Sequence, residues 1–136
     1  MMANRRLQGD DPERDLPAAL EGVREVYTTH GRVLRALADA APTDARVEDA
    51  YRGLVQAFID ATAEHIRSEQ AARRTPRDLD AQETARPLVW LNERYLSEAF
   101  GHGPQDDPAR VIGVLSHIWL ATLYRQTGGL DRDASA

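Results

Sequence analysis

Leu88-Val89-Trp90-Leu91-Asn92-Glu93-Arg94-Tyr95-Leu96, together with Val111-Ile112-Gly113-Val114-Leu115-Ser116-His117-Ile118-Trp119-Leu120 further along, decides the fold. Apolar side chains recur at three- and four-residue spacing with no period-two alternation, so both stretches read as helices. In the first, Leu88, Val89, Trp90, Leu91, Tyr95, Leu96, Ala99 and Phe100 occupy more than one stripe, and Val111 to Leu123 repeats the pattern. A helix apolar on two faces must bury both. Both faces can be internal core, or one can meet a second copy of the chain. A 136-residue domain has little interior to hide two such helices, which favours an isologous homodimer built as a four-helix bundle from the last two helices.

Working outward, the whole chain reads as all-α, an antiparallel helical bundle of four to five helices punctuated by Pro and Gly. Asp15 is the expected N-cap of a first helix carrying Leu16, Leu20, Val23, Val26 and Tyr27, which should stop near His30-Gly31. A short helix with Val33, Leu34 and Leu37 then runs to Ala41-Pro42. Thr43 or Asp44 caps a long helix with Val47, Tyr51, Leu54, Val55, Phe58, Thr62 and Ile66 inward, and Glu48, Asp49, Arg52, Asp60, Glu64, Arg67 and Glu69 outward. After a polar connection from Arg73 to Leu79, Asp80 and Glu83 form a capping signal for a helix reaching Phe100. Pro87 should kink that helix or move its firm start to about residue 87. Gly101 and Gly103 close it, and Pro108 opens a last helix ending at Gly128-Gly129.

Composition sets the class. With 42% hydrophobic and 29% charged residues and a net charge of -5, the chain is a globular domain. The absence of cysteine excludes thiolate zinc sites, iron-sulfur clusters, redox pairs and cysteine nucleophiles. An acidic balance lacks the Lys/Arg footprint of a nucleic-acid binder, so this chain alone should bind DNA poorly. Met1 to Asp15 mixes both signs of charge and has no apolar core, and no apolar run approaches the roughly 18 residues of a membrane span. The reading is cytoplasmic, with no membrane partner.

Chemistry is scarce. No Glu has a His three residues later, which removes the di-iron bundle, and His30, His65, His102 and His117 are scattered. No P-loop, G-x-G-x-x-G or G-x-S-x-G motif is present. The sequence thus predicts no metal, no cofactor, no catalytic residue and no enzyme. Tyr27, Phe58 and Trp119 could instead surround a cavity, although aromatics on helical stripes are more often plain core. Asn92, between Leu88 and Tyr95 in the most apolar helix, must find a partner when buried, and a ligand amide or carbonyl can be that partner. Glu93 beside it is ordinarily a surface charge or the partner of Arg52, Arg86 or Arg94.

Leu91-Asn92-Glu93-Arg94-Tyr95-Leu96, then Phe100, His117-Ile118-Trp119 and Leu123-Tyr124, resemble the C-terminal regulatory domain of TetR-family transcriptional regulators. The nearest subgroup is that of the mycobacterial ethionamide-monooxygenase repressor. Thr29-His30-Gly31 before Val33-Leu34-Arg35-Ala36, and Asp44-Ala45-Arg46-Val47-Glu48, fit in order and spacing. The resemblance covers 16 to 128, leaving 1–15 as a disordered or frayed segment and 129–136 as a flexible tail.

The resemblance implies a bacterial repressor's ligand-sensing domain that dimerises through its last two helices and holds a small, mostly apolar effector in a helix-lined tunnel. Position by position, the lining would be Val23, Tyr27, Tyr51, Leu54, Val55, Phe58, Thr62, Val89, Asn92, Glu93, Leu96 and Trp119, with Asn92 as the main polar anchor. Nothing before Leu16 can supply the family's helix-turn-helix, so DNA contact is expected only through such a head outside this chain. The alternative is a stand-alone helical dimer that binds an apolar molecule or a partner protein without DNA.

Overall fold

The computed structural model describes residues 11–101 and 103–124. The expectations for residues 1–10, for His102 and for the tail fall outside them. The described residues form four α-helices and no strand: α1 (Pro12–Ala40), α2 (Ala45–Ala71), α3 (Ala81–Phe100) and α4 (Pro108–Leu123), with a 3-10 turn at Ala41–Thr43. The fold is all-α, as the spacing indicates. None of these helices is long and apolar enough to cross a membrane.

Local chemistry sets the starts of α2, α3 and α4. Asp44 accepts from the Arg46 amide at 3.0 Å, Asp80 from that of Glu83 at 2.9 Å and Asp107 from that of Ala109 at 3.1 Å. Each carboxylate satisfies an amide that has no partner within its own helix, and its charge suits the positive end of the helix dipole. Pro108 sits in the first turn of α4, where its missing N–H costs nothing.

The first helix departs from expectation. α1 is one helix of 29 residues, capped by Asp11 with Pro12 behind it, so Asp15 is a helical residue and 12–15 are not frayed. Nor does the helix stop at His30-Gly31. Gly31 is the point of closest approach between α1 and the end of α3: a Cβ there would lie 2.8 Å from the Gly101 Cα. The residue is small because a second backbone touches it, and local chain geometry is not the reason.

Pro87 likewise leaves the start of α3 at Ala81, since the Asp80 cap holds the first turn. The helix C-cap is Gly101, whose amide donates to the Ser97 carbonyl at 2.9 Å, and Gly103 turns the chain in the left-handed region with φ 58°. α4 ends at Leu123, earlier than the expected Gly128-Gly129: Tyr124 leaves helical geometry at φ -121°, and its amide still reaches the Leu120 carbonyl.

α2 and α3 form the most extensive helix pair, running antiparallel with Asp60 bonded to Gln82 and Tyr51 edge-on to Trp90 at 6.1 Å. Val55, Ile59, Ala63 and Ile66 meet Ala85, Leu88, Leu96 and Phe100 in a core that Val111, Leu115 and Leu123 complete from α4. Each fully buried aliphatic side chain contributes about 1.5–3 kcal/mol. α1 packs most on α4, then on α3, and least on α2. That imbalance positions the site.

Candidate effector cavity

Where α1 stands off from α2, a cavity of about 680 Å³ opens between them. Its shape follows from two helical stripes. Leu16, Leu20, Val23 and Tyr27 recur along α1 at spacings of three and four, and Tyr51, Leu54, Val55, Phe58, Thr62, His65 and Glu69 do so along α2. Val26, Leu54 and Phe58 line the cavity yet remain exposed, which puts them at its mouth. The base comes from Val89, Asn92 and Glu93 of α3 and from Trp119 and Tyr124.

Of the twelve residues anticipated as lining, eleven are brought together here. Leu96 is not. It is fully buried in the core, one turn beyond Asn92, and does not line the cavity.

Asn92 and Trp119 are both buried, and the indole Nε1 donates to Asn92 Oδ1 at 3.0 Å. Because indole only donates, this bond fixes the amide's orientation. Asn92 Nδ2 donates to no other described residue and lies at the cavity base. An acceptor on a bound molecule would satisfy it.

Glu93 is also buried, against the ordinary expectation for a carboxylate, and none of its proposed arginine partners reaches it. Arg52 pairs with Glu48, Arg86 with Glu83 and Arg94 with Glu98. Its neighbours are the hydroxyls of Tyr27 and Tyr51. Burial, then the nearby Glu93 carboxylate, pushes both phenols well above the ordinary tyrosine range, so they are neutral hydrogen-bond donors.

A second polar group at the other end had no counterpart in the sequence reading. Glu69, assigned there to the outer face, is 6% exposed. Its Oε1 accepts from the Tyr124 hydroxyl at 2.6 Å and its Oε2 from Arg74 Nε at 2.7 Å. Burial acts to raise its pKa, but the bonds from Arg74 and Tyr124 outweigh it and hold the carboxyl below its usual range. Asp15 lines the same end; its Oδ1 accepts from Arg14 at 3.1 Å and its Oδ2 is buried without a partner. The missed signal was the spacing Asp15, Leu16, Ala19, which continues the apolar stripe of α1 back toward the helix start.

No group of three or more potential metal ligands exists among the described residues. The site is apolar, with polar groups at two levels.

Residues 16–125 match the family described as "Transcriptional regulator EthR, C-terminal domain". The HTH-type transcriptional regulator EthR of Mycobacterium tuberculosis is 36% identical over 101 residues, which is 74% of this chain and 47% of that protein. Its namesake in Mycolicibacterium smegmatis is 30% identical over 115 residues, 84% of this chain and 53% of the relative. The chain thus spans about half the length of the curated relatives it matches. These relatives are named as transcriptional regulators, not enzymes. The chain belongs to the family of C-terminal domains of EthR-type transcriptional regulators.

Proposed function

We propose that residues 16–128 are the ligand-sensing and homodimerising part of a TetR-type repressor. A small, mostly apolar effector enters the cavity between α1 and α2, and the domain transmits its arrival to a helix-turn-helix head that contacts DNA. The observation that carries this reading is the cavity itself. At about 680 Å³ it falls within the range of small-molecule sites, and its apolar walls surround a few oriented polar groups, Asn92 foremost. The relatives' names supply the DNA side of the reading.

Transmission follows from where the cavity sits. α1 meets the end of α3 backbone to backbone at Gly31 and packs less on α2 than on α3 or α4, so an occupant changes the spacing of α1 and α2 around a fixed point. The effect on DNA affinity is bounded by the effector's preference for one spacing over the other. Dimerisation is assigned to the outer sides of α3 and α4, where Leu91, Tyr95 and Val114 are exposed and Ile118 is half-buried.

The chain's two tryptophans permit a direct test. In a Trp90→Phe variant, Trp119 at the cavity base is the remaining fluorophore. Titration with phenylbutanol should change its emission saturably, and Asn92→Leu should weaken that response while leaving the dimer intact. An emission unchanged up to the solubility limit would remove the cavity reading. A dimer split by Asn92→Leu would put that residue on the wrong face.

A further inference from the structure

The cavity is unevenly charged. Asp15, Glu69 and Glu93 line it, no arginine does, and its basic side chains among the described residues are the imidazoles of His30 and His65. Glu69 is balanced by Arg74 and Asp15 by Arg14. Glu93 has no such partner: the arginines closest to it in sequence or register are engaged with Glu48, Glu83 and Glu98. At 9% exposure it is removed from bulk water, yet it faces the cavity. The hydroxyls of Tyr27 and Tyr51 offer it neutral hydrogen bonds and no positive charge. A carboxylate held this way is costly until a cation meets it. The buried, unpartnered Oδ2 of Asp15 at the far end of the same cavity adds a second, separate negative group.

We propose that the cavity selects an effector whose apolar body carries a protonated amine, with Glu93 as its counter-ion. Tyr27, Tyr51 and Trp119 line the same cavity, and an aromatic ring beside the ammonium adds attraction that a neutral head would not receive. An anionic head would meet three carboxylates and no arginine. This selection rests on the reading of the cavity as the effector site, and it goes further by naming the effector's charge.

Calorimetric titration of the intact chain at neutral pH with phenylbutylamine, phenylbutanol and phenylbutyrate tests it, because the three probes share one apolar body. The amine should bind at least about tenfold more tightly than the alcohol, and the carboxylate should bind most weakly. Glu93→Gln, which keeps the side chain's shape, should bring the amine to the level of the alcohol and change the amine's affinity far more than the alcohol's. Equal affinities of amine and alcohol on the unsubstituted chain would overturn the charge selection while leaving the cavity reading in place. Retention of the amine preference in Glu93→Gln, or its loss in Asp15→Asn alone, would overturn the assignment to Glu93. Failure of all three probes to bind would overturn the cavity reading and the selection together.

Discussion

Phe58 and Val114 are each 48% exposed, yet they belong to surfaces of different kinds. Phe58 stands at the mouth of a concavity whose base carries Asn92, Glu93 and Trp119. Val114 is exposed on α4, as Leu91 and Tyr95 are on α3, and none of the three lines that cavity. Exposure alone does not distinguish them. A concave apolar surface around a few oriented polar groups suits a small molecule, whereas exposed apolar side chains outside such a cavity suit a complementary face. We assign the first to an effector and the second to a partner copy, so the two should respond independently to substitution.

The largest effect is expected on the concave side. Trp119→Ala empties the base and strands the Asn92 amide, and should cost about 3–5 kcal/mol by chemical denaturation. If the loss is under about 1 kcal/mol, the indole is not a packed part of the base.

Next comes Gly31→Ala, which drives a Cβ against the Gly101 backbone at 2.8 Å. Displacing α1 should cost about 1–3 kcal/mol and alter small-molecule binding without changing oligomeric state. A variant as stable as the parent, with unchanged binding, would show that α1 is free to shift there.

Tyr124→Phe removes one bond to Glu69 and should cost about 1 kcal/mol at neutral pH. The pH dependence has a definite sign. Because the folded-state pKa of Glu69 is lowered from 4.5, its stabilisation is present above that value and is lost as pH falls through the folded pKa. The variant should therefore show a shallower loss of stability in acid, and an unchanged acid profile would exclude the Tyr124 bond as a contributor to the lowered Glu69 pKa.

Least costly to the fold is Val114→Arg, at about 0.5 kcal/mol or less for the isolated chain, since the side chain is exposed. Its effect should appear in association, read by sedimentation.

The helix starts were legible because Asp44, Asp80 and Asp107 act on amides two or three residues away. The two cavity stripes were legible for a similar reason, since helical period alone aligns Val23 with Tyr27 and Tyr51 with Phe58. Contacts between distant segments were not. Gly31 read as a helix stop because glycine usually marks one, and its true neighbour is Gly101, seventy residues on. Glu69 read as a surface charge because its partner Tyr124 lies 55 residues away. Asn92 could be recognised as a buried amide in need of a partner, although Trp119 as that partner required the fold. Leu96 was carried to the cavity with its neighbours, and only packing shows that its side chain turns into the core.

Native mass spectrometry of the chain and of its Val114→Arg variant, each with phenylbutylamine, tests the separation of the two surfaces most directly. The account expects a dimer of twice 15.1 kDa with one small molecule per chain, and a variant monomer that still holds one. An unsubstituted chain that is monomeric, or a variant that loses the small molecule together with its partner, would contradict it.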